Sequence, residues 1–250
     1  MSEPRRFIVP PGLLTGRHVT LDGELHRHMV RVLRLKEGDA LILCNGAGQE
    51  YHSIIESIGK RSLALEITGI HAVAADLPAS PSITLIQGIP KGDKFDLVIQ
   101  KATELGVSSI VAFPADRSVI KISSGQIANR IARWQKIALE AARQSERISV
   151  PEISLTRDLG TSLRDATQTV KLLLSERERD SHLREILSGK KVPDSAALLV
   201  GPEGGFSPEE VESAIQNGFT PVSLGPRILR TETASLVMLS IIQYQWGDIG

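Results

Sequence analysis

The sequence predicts an α/β protein, a parallel sheet with helices on both faces preceded by a small β-rich domain. Three observations carry this. Up to about residue 72 the chain is made of short β-branched runs separated by turns. Beyond residue 81 apolar runs alternate with helical segments, the pattern of strands joined by crossover helices. Toward the C-terminus two apolar runs each lead into a glycine-bearing loop and then a helix: Leu198-Leu199-Val200-Gly201-Pro202-Glu203-Gly204-Gly205-Phe206, and Leu224-Gly225-Pro226-Arg227-Ile228-Leu229-Arg230-Thr231-Glu232-Thr233-Ala234. Such loops let backbone amides close around a small ligand, so the pair implies one pocket.

In the first domain, residues 1–72, the strand-like runs are Arg6–Val9, His18–Leu21, Ala40–Cys44, Tyr51–Ile58 and Ser62–Ile70. Asn45-Gly46-Ala47-Gly48 between two of them is a hairpin signal, because Asn and Gly tolerate positive φ. One helix interrupts the pattern over Glu24–Leu35, where Leu25, Met29, Val32 and Leu33 recur at helical spacing with Arg27, Arg31 and Arg34 between them. His71–Pro81 has prolines, small residues and no periodicity, which suits a linker at 73–81.

In the second domain, 82–250, strands are expected at Ile83–Ile86, Ile110–Phe113, Val170–Leu174, Ala196–Val200 and Pro221–Leu224. Asp93 and Asp96 open a helix with the stripe Phe95, Val98, Ile99, Ala102 and Leu105, stopped by Gly106. Gln126–Arg147 places Ile127, Ile131, Trp134, Ala138 and Ala141 on one side. Ser207-Pro208-Glu209-Glu210 is a capping box with proline at the first helical position, and Asn217-Gly218 ends that helix. The last helix, Thr231–Trp246, is apolar over much of its circumference, so a subunit interface is expected to cover what its own sheet leaves open.

Lysine plus arginine and aspartate plus glutamate both number 29, so no global positive field exists and a nucleic-acid partner needs a local patch. The single cysteine, Cys44, lies in an apolar run and reads as core, which leaves no disulfide framework and no cysteine zinc site. His26 and His28 at i, i+2 point to different sides of a helix, so no metal is expected. Only three apolar residues precede Pro10, and no apolar run spans a bilayer, so a cytoplasmic protein without membrane partners is expected. The first strand of the second domain is followed by Gly88-Ile89-Pro90-Lys91-Gly92, which is neither G-x-G-x-x-G nor a Walker loop. The glycine-rich turns follow the fourth and fifth strands instead, unlike a dinucleotide-binding fold, although GPEGG alone is also compatible with a structural turn.

LLVGPEGGFSPEEV together with SLGPRILRTETA resembles the C-terminal signature of the SPOUT methyltransferases, and the wording is similar to that of the RsmE family. The likeness extends to Lys101-Ala102-Thr103-Glu104-Leu105-Gly106-Val107, to Arg117-Ser118, and to Glu140–Arg147 followed by Val150-Pro151. Arg6-Phe7-Ile8-Val9 and Val32-Leu33-Arg34 are similar to the family's PUA-like barrel, so the resemblance covers essentially the whole chain. It implies a SPOUT α/β knot, a trefoil-knotted parallel sheet, with a small N-terminal PUA-like β-barrel. It also implies a homodimer that uses S-adenosyl-L-methionine to methylate N3 of a uridine in small-subunit (16S) ribosomal RNA, free or within the assembled 30S particle. A tRNA or another rRNA nucleotide as substrate, or a non-catalytic RNA-binding assembly factor, are the alternatives.

Carried over by position, the cofactor pocket comprises Val200, Gly201, Pro202, Glu203 and Gly204 from one loop, and Leu224, Gly225, Ile228, Leu229, Arg230, Thr231 and Ala234 from the other. Uridine N3 must lose a proton, which calls for a cation to stabilise the anion and a base to accept the proton. Arg230 and Arg227 are candidates for the first role, with Glu232 or Glu203 for the second; the arginines could equally pair with Glu232, and Glu203 could simply hold its loop. From Arg117 to Arg147 seven basic residues face two acidic ones, a phosphate track or merely a solvated face. The RNA contacts expected are Arg133, Arg143, Gln144 and Arg147 there, with Arg6, Arg31 and Arg34 in the first domain.

Overall fold

Alternation of apolar and polar residues builds the N-terminal sheet. In the computed structural model, which describes residues 4–72, 80–114, 124–175, 183–188 and 191–249, its strands are β1 (Arg5–Ile8), β2 (His18–Asp22), β3 (Ala40–Cys44), β4 (Gln49–Ile58) and β5 (Ser62–Ala72). They lie in the order β1-β3-β4-β5-β2, antiparallel except for β1 beside β3. Val19 and Leu21 of β2 point inward while His18, Thr20 and Asp22 face solvent, the period-2 pattern of a half-buried strand. Leu43, Leu63, Leu65 and Met29 complete the core. In the β3–β4 hairpin, Asn45 Oδ1 accepts from Ala47 N at 2.8 Å and Gln49 N at 3.2 Å, while Gly46 and Gly48 take φ of 74° and 86°.

The helix expected over Glu24–Leu35 is shorter and wider. It runs as α1 (Gly23–Arg27) into a π turn over His28–Val32, where Leu33 N bonds His28 O at 3.0 Å. The extra residue rotates the apolar stripe, so Met29 is buried but Val32, expected on the same face, is 65% exposed. His26 is buried, and its Nε2 donates to Gly59 O at 3.0 Å. Cys44 is likewise buried; burial, with a contribution from the Glu50 charge, pushes its thiol up to about 11, so it stays a protonated core residue.

The second sheet has six strands, all neighbours parallel: β6 (Ser82–Gly88), β7 (Ser109–Phe113), β8 (Glu152–Leu155), β9 (Val170–Leu174), β10 (Ser195–Val200) and β11 (Thr220–Val222). Their order is β11-β9-β10-β6-β7-β8. Strand β8 escaped the sequence reading because it is a short edge strand that fully buries only Ile153. The helices are α2 (Lys94–Glu104), α3 (Ser124–Gln144), α4 (Leu159–Asp165), α5 (Leu183–Leu187), α6 (Pro208–Gln216) and α7 (Thr231–Trp246). Both halves of the capping box at Ser207 and Glu210 form. Helix α3 stops short of Arg147 because Glu146 takes φ of 55°, a left-handed stop without glycine. Trp134 of α3 packs edge-on against Phe95 of α2, ring centroids 4.7 Å apart. Helix α7 meets α2, whose end it completes: Gln243 Nε2 donates to Leu105 O at 2.9 Å.

By contacts the chain divides into Met1–Leu77 with Ala142–Val150, and Pro78–Ala141 with Pro151–Gly250. The segment 142–150, counted with the second domain in the sequence, therefore packs with the first unit: Val150 N bonds Gly46 O at 3.1 Å. In the second unit a parallel sheet puts every strand's C-terminal end on one edge, where loops from different strands can meet around a ligand.

Candidate active site

A cleft of about 340 Å³ opens at the C-terminal ends of β9 and β10. This lies within the range of roughly 300–1,000 Å³ usual for small-molecule sites. Val200, Gly201, Pro202, Glu203 and Gly204 line it from the loop after β10, and Ile228, Leu229, Arg230, Thr231 and Ala234 from the segment entering α7. The structure thus brings most of the residues expected around the cofactor into one wall. Leu224 and Gly225 are the exceptions. They line a separate groove of about 530 Å³ beside Leu183, Ile241 and Tyr244. The cause is a tight turn in which Gly225 N bonds Ser223 Oγ at 3.2 Å and Gly225 takes φ of 108°. The segment lines the cleft only from Ile228 onward.

Sequence reasoning missed Leu174 and Ser175 at the end of β9, and Gly205, Phe206 and Val211, which close the cleft. The first two carried a usable signal, since strand ends in a parallel sheet share an edge.

Two close backbone approaches shape the wall. A Cβ on Gly88 would lie 2.7 Å from Pro202 Cδ and 2.8 Å from Pro202 N, so the turn after β6 is pressed directly on the loop after β10. A Cβ on Gly201 would lie 3.1 Å from the Phe206 ring. Beneath them, Gln87 at the end of β6 is fully buried and bonds to the turn after β6 and to the start of α7, with Nε2 donating to Gly88 O at 2.9 Å and to Thr231 Oγ1 at 3.0 Å.

Glu203 ties the same loops from outside. Its carboxylate accepts from Lys91 N at 3.1 Å and from Lys94 Nζ at 2.8 Å. Burial acts to raise its pKa, but the hydrogen bonds from Lys94 and from the Lys91 backbone outweigh it and hold the carboxyl below the usual carboxylate range. A carboxylate so engaged is a tether and a poor proton acceptor. Arg230 lines the cleft and Arg227 stands nearby in sequence; both are exposed and neither has an ion-pair partner among the described residues. Glu232, in the first turn of α7, does not pair with them: its Oε2 is buried without a hydrogen-bond partner among the described residues.

An RNA methyltransferase domain model matches residues 78–243, and an RNA methyltransferase PUA domain model matches residues 21–68. The ribosomal RNA small subunit methyltransferase E of Bacillus subtilis is 35% identical over 231 residues, 90% of each chain. This chain belongs to the ribosomal RNA small subunit methyltransferase E family. Among solved structures, the family's enzyme from Neisseria gonorrhoeae bound to S-adenosyl methionine is 33% identical with a TM-score of 0.81, covering 99% of this chain and all of that one. A methyltransferase of Legionella pneumophila in complex with SAM is 34% identical with a TM-score of 0.82 and covers 99% of this chain.

The expected RNA contacts divide by geometry. Arg31, Arg34 and Gln144 are exposed, and Arg34 holds a left-handed φ of 55° just after the π turn. The others are engaged within the protein. Arg6 Nε pairs with the buried Glu50 at 2.9 Å, Arg143 Nη2 donates to Ile8 O at 3.5 Å, and Arg147 Nη2 donates to Ser149 Oγ at 3.2 Å. Arg133 is ion-paired with Asp96 of α2. Arg117 and Lys121 lie outside the described residues. Among the described residues there is no group of three or more His, Cys, Asp or Glu placed to hold a metal, and no helix is long and apolar enough to cross a membrane.

Proposed function

We propose that this protein transfers a methyl group from S-adenosylmethionine to N3 of a uridine in small-subunit ribosomal RNA, in the cytoplasm and as a homodimer. The observation that carries the reading is the cleft formed by the loop after β10 and the entry to α7, in a chain whose similar solved relatives are described as bound to SAM. The cleft suits such a ligand: its glycines permit close approach, and Leu174, Val200, Ile228 and Leu229 supply apolar surface. When bound, S-adenosylmethionine supplies a methyl group already activated on a sulfonium. The protein's own share is alignment and making N3 nucleophilic.

Gly201 and Thr231 fix the position of the bound group. Arg230, at the cleft, stabilises the negative charge that develops on the uracil when N3 loses its proton, with Arg227 in support. Glu232, next in sequence to the cleft-lining Thr231 but not itself lining the cleft, is the candidate left to take the proton, since Glu203 is committed to Lys91 and Lys94. The C-terminal knot belongs to the same reading. Supporting it, β10 lies between β6 and β9, and the chain returns past it to add β11 beyond β9. For the homodimer, α7 still carries an apolar surface, with Tyr244 71% exposed and bordering the groove at Leu224. Arg31 and Arg34 contact phosphates of the RNA.

The test is methylation of small subunits, and separately of free small-subunit RNA, from a strain lacking this protein, followed by nucleoside mass spectrometry. New 3-methyluridine supports the reading. A different methylated nucleoside, or product only on tRNA, replaces the substrate; no methyl transfer with intact cofactor binding leaves an RNA-binding assembly factor.

A further inference from the structure

The carboxamide of Gln87 makes no contact with the cleft, yet everything it touches does or leads to it. Gln87 is the last polar side chain before Gly88 on β6, in register with Val200 of β10, and is fully buried. A buried primary amide is costly unless its groups are satisfied, and here they are. Ser235 Oγ of α7 donates to Gln87 Oε1, sharing its one proton with Thr231 O at 2.9 Å. Gln87 Nε2 donates to Gly88 O and Thr231 Oγ1, with longer approaches of 3.3 Å to Gly201 O and 3.4 Å to Val200 O. Thr231 Oγ1 in turn donates to Gly201 O at 2.5 Å.

The direction of this chain is fixed by chemistry. Carbonyl oxygens only accept, so Nε2 must face Gly88 and Thr231, Oε1 must face Ser235, and the Thr231 hydroxyl is left to point its proton at Gly201. One amide therefore joins the end of β6, the loop after β10 and the first turn of α7. Of the groups it joins, Gly201 and Thr231 line the cleft. The carbonyl of Gly201 is held inward, which sets the plane of the peptide leading to Pro202 and presses that residue on Gly88.

We infer that Gln87 is a positioning residue for methyl transfer: it holds the Gly201 carbonyl and the Thr231 hydroxyl in the conformation that receives the methyl donor. The inference rests on the proposed use of this cleft. Without the amide, the loop after β10 and the start of α7 sample other arrangements, and part of the donor's binding energy goes into ordering them. Affinity for the donor then falls more than turnover at saturating donor.

The experiment compares wild type, Gln87→Met, Gln87→Glu and Ser235→Ala by calorimetry with S-adenosylmethionine and with S-adenosylhomocysteine, well below each variant's melting temperature, and by steady-state methylation. Gln87→Met keeps the side-chain length and loses both polar groups. Its Kd should rise about five- to thirtyfold, the loss of one or two net hydrogen bonds, with KM for the donor rising in step and kcat changing by less. Gln87→Glu, which turns an acceptor toward the Gly88 carbonyl, should bind no better than Gln87→Met. Ser235→Ala removes one bond from the far end of the chain and should raise Kd a few-fold; it decides the matter if Gln87→Met does not fold. A folded Gln87→Met with a lowered melting temperature and wild-type Kd would overturn the inference, as would wild-type affinity in Ser235→Ala. If wild type itself shows no saturable heat, it is the proposed use of the cleft that fails.

Discussion

Replacing Gly88 by alanine tests how tightly the cleft is built. The glycine is not needed for backbone conformation, since its φ is not positive, so an alanine at this strand end meets only steric resistance. Its Cβ would sit 2.7 Å from Pro202 Cδ and 2.8 Å from Pro202 N. Ordinary contact begins at 3.4 Å, so Pro202 must retreat by 3.4 − 2.7 = 0.7 Å. The neighbour is a proline ring and its own backbone nitrogen, with no flexible tip to swing aside, so the loop itself moves. Overpacking of this kind costs about 1–3 kcal/mol, from which the reduced freedom of the unfolded chain returns about 0.4–1 kcal/mol. The net loss of about 1–2 kcal/mol corresponds to a fall in melting temperature of roughly 2–8 °C for a chain of this size. Donor affinity should fall, and methyl transfer should slow about tenfold or more, because a misplacement approaching 1 Å can cost up to about a hundredfold in rate. Differential scanning calorimetry, titration with S-adenosylmethionine and steady-state methylation read these effects. Gly125→Ala is the control, since that glycine in the first turn of α3 has open space around its Cβ and a normal φ. A Gly88→Ala protein that melts within 1 °C of wild type and binds the donor equally well would refute the close-approach argument.

Other perturbations have equally definite outcomes. Glu203→Gln should weaken the tie between the loops after β6 and β10 and remove its acid dependence. In wild type, the tie is complete above the ordinary carboxylate pKa of 4.5 and is lost as pH falls through the lower folded value, so the two proteins should differ in stability at pH 6 and converge at lower pH. Asp158, whose Oδ1 accepts from Thr161 N and Thr161 Oγ1, caps α4, and those hydrogen bonds, with one from Arg157, bring its pKa to about 2. Asp158→Ala should cost about 1 kcal/mol at neutral pH, with Asp158→Ser restoring most of it in thermal unfolding. The double change Arg31→Ala, Arg34→Ala should weaken RNA binding and flatten its log-log salt dependence by about 1–2 while leaving donor affinity alone. Arg6→Ala should act differently, lowering stability by stranding the buried Glu50.

Periodicity was enough to reveal most of both sheets, because strands with one or two buried faces write their burial into alternation or apolar runs. It failed where burial is partial or local. Strand β8 buries little, and α4 and α5 are too short to show a stripe. The π turn at His28–Val32 cannot be seen in a pattern that assumes regular helix, which is why Val32 was expected inside. The wall of the cleft was legible in its glycine motifs, yet the turn at Gly225 that diverts Leu224 into another groove depends on a hydrogen bond to Ser223 that no spacing announces. Charge was the least readable property. A basic stripe looks the same whether its arginines face solvent or, like Arg143 and Arg147, reach Ile8 and Ser149 of the same unit. Gln87 shows the reverse case, a polar residue ending an apolar strand, whose meaning emerges only when the three segments it joins are in view.

The most direct measurement is a crystal structure of the protein grown with S-adenosylmethionine. The ligand should lie between the loop Val200–Phe206 and the segment Ile228–Thr231, with the Gln87, Thr231 and Gly201 chain of hydrogen bonds intact. Density for the ligand elsewhere, or a cleft left empty at saturating concentration, would contradict this placement.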